Sequence, residues 1–314
     1  MNGPAFFAVP RKASAFASSL ARQSGGRLFQ HDRVDFPSGE MVVRVPTDAI
    51  TSAVIVLAPT GHCSDSLIEI TLLADALMRE GAPKITCVFQ YLPYSRSNRL
   101  DRRGAALGAR VVISMLERAP IDRFVVFDLH TREVLGFFTK PVRWIQTLPA
   151  LSGAMPLRHS EVVVSPDRGR YDDIVDISNL RGSAIDLLVK VRTEDGRSSH
   201  LAAGARTDIH GRNVLLYDDE SWTGVTAVHA AESLFAAGAA RIDYSTVYDF
   251  ASADVRRRLI VEGGISTYTT TNLARPDLSD DYDDRYRVVD VAELAVAQLT
   301  QPTEGALIFR KKLA

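Results

Sequence analysis

The sequence predicts an α/β protein of two domains, each with a mostly parallel sheet flanked by helices. The first observation is that short apolar runs alternate with stretches of helical periodicity along most of the chain. This alternation is typical of parallel strands that helices cover on both faces. The second observation is the length of 314 residues, which favours two compact domains, each with its own core.

In the first half of the chain, strands and helices are expected in turn. Residues 66–79 carry Leu67, Ile70 and Leu73 at the spacing of an amphipathic helix. Two further helices are expected, over residues 13–24 and 105–117. The apolar runs predict strands over residues 41–45, 53–57, 85–89 and 123–127.

The second half repeats the pattern. Strands are expected over residues 162–164, 186–191, 214–217 and 242–247, with helices over 174–180 and 227–236. Two polar stretches, 194–206 and 273–286, are expected to be loops. A boundary near residues 147–153 divides the chain into a domain over 1–148 and a domain over 149–289. The tail from about 290 to 314 is expected to pack back on the first domain.

Composition excludes several classes of function. A formal net charge of −1 gives no electrostatic basis for binding nucleic acid or anionic membranes. The two cysteines, Cys63 and Cys87, have no metal-ligand or redox spacing, which favours a reduced protein inside the cell over one with a disulfide. No signal peptide and no apolar run long enough to span a bilayer is recognisable. We therefore expect a soluble, cytoplasmic protein.

The stretch 214–226 is the strongest candidate for a ligand site. An apolar run ends in Asp218 and Asp219, then turns through Thr223 to Thr226 (Thr-Gly-Val-Thr) into a helix expected near Ala227. In an open α/β sheet, ligands bind at the carboxyl ends of the strands. The loop and helix N-terminus can hold a phosphate, and the acids can accept hydrogen bonds from sugar hydroxyls. The alternative is an ordinary strand–turn–helix with solvated acids.

A second candidate follows the strand over residues 123–127. Asp128 and His130 would lie at the carboxyl end of this strand, where an imidazole can bind a metal or donate to a phosphate. The alternative is a histidine whose hydrogen bonds are satisfied by a backbone carbonyl.

These two stretches carry a resemblance to known families. Residues 214–226 resemble the phosphoribosyl-diphosphate-binding loop of type I phosphoribosyltransferases and of ribose-phosphate diphosphokinases, with Thr-Gly-Val-Thr in place of Thr-Gly-Gly-Thr. Asp-Leu-His at 128–130, followed by Gly-Phe-Phe at 136–138, resembles the diphosphokinase (phosphoribosyl-diphosphate synthetase) branch. The resemblance runs over nearly the whole chain and implies two domains of phosphoribosyltransferase type.

The resemblance also implies roles for single residues. Phe36 and Glu40 match the loop that contacts adenine, where Ser38 replaces an aspartate. Arg96 matches a residue that pairs with ATP phosphate, and Ser97 and Asn98 stand where the family has Gln and Asp. The resemblance assigns His130 and Asp167 to Mg²⁺, and His130 also to the ATP phosphates. It assigns catalysis to Lys190, Arg192 and His130. The residues implied for ribose 5-phosphate are Asp218, Asp219, Thr223, Gly224, Val225 and Thr226.

The implied activity is transfer of the diphosphoryl group of ATP to the 1-hydroxyl of ribose 5-phosphate, with Mg²⁺ as cofactor. The resemblance further implies a homo-oligomer, a hexamer or a dimer. Four departures from the family pattern stand at Ser38, Asn98, Arg170 and Trp222, and Arg170 replaces a glycine of the diphosphate loop. They keep open a non-catalytic regulatory paralogue. A phosphoribosyltransferase is the other alternative, but it leaves the first domain unexplained.

Overall fold

The structure, a computed structural model, describes residues 3–11, 14–46, 52–59, 63–156, 161–192, 199–203, 208–274 and 284–300, without the side chains of 189–192, 199–203 and 300. The chain divides into two compact units. The first contains the described residues up to Gln146 together with Val291 to Thr300, and the second runs from Thr147 to Asp290.

The first unit is built on a parallel six-stranded sheet with a separate hairpin. The sheet order is β2-β1-β5-β6-β7-β8, and every neighbouring pair is parallel. The strands are β1 (Ala5–Val9), β2 (Arg27–Phe29), β3 (Asp32–Asp35), β4 (Met41–Arg44), β5 (Ala53–Leu57), β6 (Ile85–Phe89), β7 (Arg123–Phe127) and β8 (Val142–Ile145). The helices before the boundary are α1 (Ala15–Gln23), α2 (Cys63–Arg79) and α3 (Gly108–Arg118). β3 and β4 form the antiparallel hairpin.

Burial explains why the central strands are so apolar. β1, β5, β6 and β7 are buried along their whole length, because helices cover both faces of the sheet. Three of these strands have the predicted bounds, whereas β1 is a strand that the sequence analysis does not predict. α3 begins at Gly108 and not at residue 105, where the sequence predicts its start.

The second unit has a seven-stranded sheet in the order β11-β10-β9-β12-β13-β14-β15. Only the pair β10–β11 is antiparallel. The strands are β9 (Glu161–Ser165), β10 (Ala184–Arg192), β11 (Ser199–Ala203), β12 (Asn213–Ser221), β13 (Arg241–Asp249), β14 (Thr267–Thr271) and β15 (Tyr286–Val289). The helices are α4 (Leu148–Ala154), α5 (Tyr171–Arg181), α6 (Val225–Ala236) and α7 (Ala253–Val261). The last helix of the chain, α8 (Ala292–Thr300), lies against α1 and β8 of the first unit.

Three sequence expectations are corrected in this unit. β12 does not end at Tyr217 but continues to Ser221, because Asp218, Glu220 and Ser221 pair with β13. The stretch 194–206 is not simply a loop, since residues 199–203 form β11; its other residues after Arg192 lie outside the described part. The stretch 273–286 is likewise not only a loop, since its last residue, Tyr286, is the first residue of β15. Residues 275–283 lie outside the described part of the structure. Of the helices that the structure describes, none is long and apolar enough to cross a membrane.

Candidate functional site

In the second unit, the candidate site lies at the carboxyl ends of two neighbouring strands. β9 and β12 pair in parallel, so the loop after β9 and the end of β12 lie at one edge of the sheet. Asp167 comes two residues after the end of β9, and Asp218 and Asp219 lie within the last part of β12. This is the arrangement expected from the sequence, although the acids belong to the strand itself.

Asp218 is a partly buried carboxyl group with a perturbed pKa. Its Oδ1 accepts a hydrogen bond from the backbone N–H of Asp219 at 2.9 Å. Burial, and then the negative charge of Asp219, raise the pKa of Asp218 to about 8. Both effects disfavour the charged form of the acid. Asp218 therefore favours the protonated form in the ligand-free protein at neutral pH.

Asp219 is held by a buried arginine. Arg170 is 6% exposed, and its Nη1 lies 3.3 Å from Oδ2 of Asp219 and 3.3 Å from Oδ2 of Asp173. Burial lowers the pKa of Arg170, but Asp219 and then Asp173 outweigh it, so that the net shift is upward. The φ of Arg170 is −100°, so the backbone does not need a glycine at this position. Arg170 thus brings a fixed positive charge to the acids at the end of β12.

Asp167 organises the loop after β9. Its Oδ1 accepts from the N–H of Gly169 at 2.9 Å, and its own N–H donates to Ser165 Oγ at 3.2 Å. The residue is exposed and caps a short 3-10 turn over Arg168–Arg170. Because only Oδ1 serves as the cap, the loop presents carboxylate oxygen towards solvent at the edge of the sheet.

The turn into α6 requires its glycine. Gly224 has φ +70°, and a Cβ at this position would lie 2.8 Å from Cγ1 of Val255 on α7. The helix begins at Val225, two residues earlier than expected, so Val225 and Thr226 belong to its first turn. Both are exposed, as is Thr223, whose carbonyl accepts from Arg258 Nη2 at 3.1 Å. A helix N-terminus of this kind can bind a phosphate.

Trp222 contacts aromatic residues in a way that the sequence did not indicate. Its ring stacks on Phe250, which follows β13, at a centroid distance of 4.0 Å, and its Nε1 donates to Glu220 Oε2 at 2.8 Å. β12 and β13 are neighbours, which brings the two rings together, and the spacing of residues 222 and 250 gives no signal of it. The indole is 51% exposed.

In the first unit, two predicted segments meet beside the end of β7. Asn98 Nδ2 donates to Thr131 Oγ1 at 2.7 Å, which places the Arg96–Asn98 segment next to the loop that contains His130. His130 is partly buried and Arg96 is exposed. Ser97 has a structural contact as well, since its Oγ accepts from the N–H of Gly108 at the start of α3 at 3.1 Å.

Phe36 and Glu40 lie in the turn of the β3–β4 hairpin. The N–H of Phe36 donates to the carbonyl of Glu40 at 2.8 Å, and Gly39 has φ +85°. Ser38 Oγ donates to Glu40 Oε2 at 2.8 Å, so the replacement of the family aspartate leaves Glu40 with a local partner. The Phe36 ring is 47% exposed. The turn therefore presents an aromatic face and a carboxylate to solvent.

Lys190 and Arg192 belong to β10, opposite Leu201 and Ser199 of β11. Their side chains lie outside the described part of the structure.

Comparison with known proteins gives one consistent result. Residues 7–119 match the model of the N-terminal domain of ribose phosphate pyrophosphokinase. The ribose-phosphate pyrophosphokinase of Corynebacterium efficiens is 32% identical over 262 residues, which cover 82% of this chain and 81% of the relative. That of Streptomyces coelicolor is 29% identical over 280 residues, covering 88% of this chain and 86% of the relative.

A solved structure agrees with these relatives. The crystal structure of phosphoribosylpyrophosphate synthetase from Mycobacterium smegmatis matches with a TM-score of 0.82 at 26% identity, covering 95% of this chain and 98% of that one. The fold class of two mostly parallel sheets with helices agrees with this structure. The chain belongs to the ribose-phosphate pyrophosphokinase family.

Proposed function

We propose that the protein transfers the diphosphoryl group of ATP to the 1-hydroxyl of ribose 5-phosphate, giving 5-phosphoribosyl 1-diphosphate and AMP. The observation that carries the proposal is the end of β12 in a member of this family. There, Asp218 and Asp219 precede the Gly224 turn and the N-terminus of α6. Acids that can accept sugar hydroxyls thus stand directly before a helix that can hold a phosphate.

The sugar phosphate would bind to the second unit. Thr223, Gly224, Val225 and Thr226 hold its 5-phosphate, because the exposed start of α6 offers backbone N–H groups and the positive end of the helix dipole. Asp219 and Asp218 accept the ribose hydroxyls. Hydroxyl donors can reach these groups because both acids are only partly buried.

ATP would bind to the first unit. Phe36 can stack on the adenine ring, with Glu40 beside it in the same exposed turn. Arg96 can pair with a phosphate through its planar guanidinium group. Ser97, Asn98 and His130 complete the proposed set, and the bond from Asn98 to Thr131 supports placing them on the same substrate.

The residues fit Mg²⁺ as the cofactor. Mg²⁺ prefers oxygen ligands and is usually held by one or two carboxylates together with substrate phosphates. Asp167 is exposed and uses one carboxylate oxygen for its cap, so the other is suited to a hard cation. The family resemblance assigns His130 to the same role. When bound, Mg²⁺ would neutralise charge on the phosphates.

Transfer would proceed by attack of the 1-hydroxyl oxygen of ribose 5-phosphate on the β-phosphorus of ATP. A bond forms between these atoms, the bond to the oxygen bridging the α and β phosphates breaks, AMP leaves, and the hydroxyl proton is lost to solvent. Such transfers rest on positioning and on charge stabilisation. We assign this stabilisation to Lys190 and Arg192, with His130 at the phosphates.

We also propose that the protein works as a homo-oligomer, a hexamer or a dimer, as its family resemblance implies. Light scattering at micromolar concentration tests this, and a species of 34.4 kDa would contradict it.

A second function, that of a non-catalytic regulatory paralogue, is favoured by one observation. Arg170 replaces a family glycine and pairs with Asp219, one of the proposed sugar-binding acids. If the guanidinium fills the space that the diphosphate requires, then Arg170→Gly would create activity in an inert protein. If it contacts the diphosphate instead, the same change weakens turnover.

The deciding experiment follows AMP formation from ATP and ribose 5-phosphate in the presence of Mg²⁺, over a range of inorganic phosphate concentrations. The control omits the sugar phosphate, which separates transfer from simple hydrolysis of ATP. We expect AMP in equal amount to the phosphoribosyl diphosphate formed. No sugar-dependent AMP at any phosphate concentration would refute the enzymatic function.

A further inference from the structure

The β3–β4 hairpin, which carries the exposed Phe36 turn, is attached to the first unit in an unusual way. Within the described residues, its two strands pair only with each other and not with the six-stranded sheet. The β4 side packs apolar residues on the core, since Val43 and Val45 contact it. The β3 side offers no buried apolar side chain, because Val34 is 39% exposed and its neighbours are polar.

A charged cluster takes the place of apolar contacts under β3. Glu69 of α2 is fully buried, and its Oε1 accepts from His31 Nε2 at 2.6 Å while its Oε2 accepts from Arg33 Nη1 at 2.6 Å. Arg33 continues to Asp35, with Nε 2.8 Å and Nη2 2.7 Å from Oδ1. Arg33 and Asp35 alternate along β3 and share one face of it, and His31 directly precedes the strand at the same spacing.

The energetics of this cluster make it a rigid attachment. Burial raises the pKa of Glu69, but the hydrogen bonds from His31 and Arg33 outweigh it, so the net shift is downward. A buried carboxylate that loses a hydrogen-bonded partner is strongly destabilised, which favours keeping His31 and Arg33 in place. Since Asp35 directly precedes Phe36, the attachment ends one residue from the turn.

We infer that Glu69 is a positioning residue for nucleotide binding, which fixes the Phe36–Glu40 turn through His31 and Arg33. The inference rests on the proposed function, in which that turn contacts adenine. Glu69 is buried on α2 and would act only by holding the turn in one orientation. A turn that must be ordered upon binding lowers affinity, because part of the binding free energy is spent on the ordering.

The test compares Glu69→Gln with a matched variant on the same helix. Asp75→Asn also removes a carboxylate paired with an arginine, Arg79, but this pair is exposed and the structure gives it no hydrogen bond to the hairpin. Two quantities are measured on the full chain: amide hydrogen exchange of residues 32–44, and calorimetric affinity for a non-hydrolysable ATP analogue and for ribose 5-phosphate.

We expect Glu69→Gln to speed exchange in the hairpin, but not in β5, and to weaken the nucleotide by about tenfold, with the sugar phosphate unchanged. Asp75→Asn should change none of these. If Glu69→Gln fails to fold, Arg33→Met serves as the second variant. Arg33→Lys keeps a positive charge for Glu69, so its nucleotide affinity should be higher than that of Arg33→Met.

Two results would count against the inference in different ways. Faster exchange with unchanged nucleotide affinity would make the cluster a purely structural contact and overturn the positioning role. Absence of nucleotide binding by the unmodified protein would overturn the proposed function itself, and the inference with it.

Discussion

Asp218→Asn should stabilise the ligand-free protein, and increasingly so as the pH rises. The amide has the shape of the protonated acid but never takes a charge. In the folded protein the pKa of Asp218 is raised to about 8 by burial and by Asp219, whereas an exposed aspartate titrates near 3.9. Because the pKa is higher in the folded protein, the carboxyl group favours folding fully only below about pH 4, where it is protonated in both the folded and the unfolded state. That contribution is lost as the pH rises from about 4 to about 8.

The magnitude follows from the size of the shift. A difference of about four pKa units at roughly 1.36 kcal/mol each would give at most ~5 kcal/mol. The side chain is only partly buried, so solvent screens part of this. We therefore expect the advantage of Asp218→Asn in the free energy of unfolding to grow by about 1–3 kcal/mol between pH 5 and pH 8.

The assay is urea denaturation without ligands at several pH values, compared with Asp172→Asn. Asp172 is an exposed acid in the first turn of α5, so Asp172→Asn makes the same chemical replacement without relieving burial. The control variant should follow the parent protein in parallel across the pH range. If Asp218→Asn also ran parallel to the parent, the carboxyl group would not be perturbed and the reasoning would be wrong.

Three further predictions concern the same unit. Lys190→Ala and Arg192→Ala should each lower kcat by about 10²-fold with little change in KM, because the contacts of these cations with the phosphates strengthen as negative charge develops in the transition state. Steady-state kinetics check this, and an effect confined to KM would mean that the two residues have no catalytic role. Arg170→Met should destabilise the fold by about 1–3 kcal/mol in urea denaturation, since Asp219 and Asp173 lose their shared cation; an unchanged midpoint would contradict the ion pairs. Gly224→Ala should lower the free energy of unfolding by about 1–3 kcal/mol, because of the positive φ at this position and the contact of the added Cβ with Val255. Gly153→Ala, where nothing lies within 4 Å of the added Cβ, should be neutral or stabilising. Equal shifts of the thermal midpoint in the two variants would refute this.

Where the sequence misled, the reason is pairing between distant segments. The carboxylates at 218 and 219 looked like the start of a turn, because charged residues usually end a buried strand. In the structure β12 continues, since its backbone pairs with β13 as far as Ser221. The segment 199–203 lies within the largely polar stretch 194–206 and carries no strand pattern of its own, and its ladder with β10 makes it a strand.

The sequence alone determined the class of the fold and the order of its motifs. Apolar runs that are buried on both faces can form only interior strands, and β5, β6 and β7 appear with the predicted bounds. It also indicated which loops follow the strands, because that depends on local order in the chain. Asp167 and the Gly224 turn could both be predicted in this way.

Only the tertiary structure decided how these residues interact. The pairing of Arg170 with Asp219 and the stacking of Trp222 on Phe250 join segments that are far apart in the chain. The upward pKa shift of Asp218 depends first on its burial, which the tertiary structure decides. The buried contact of Glu69 with His31 and Arg33 is of the same kind. Distances and burial across a sheet edge depend on which strands are neighbours, and no local pattern of residue types encodes that order.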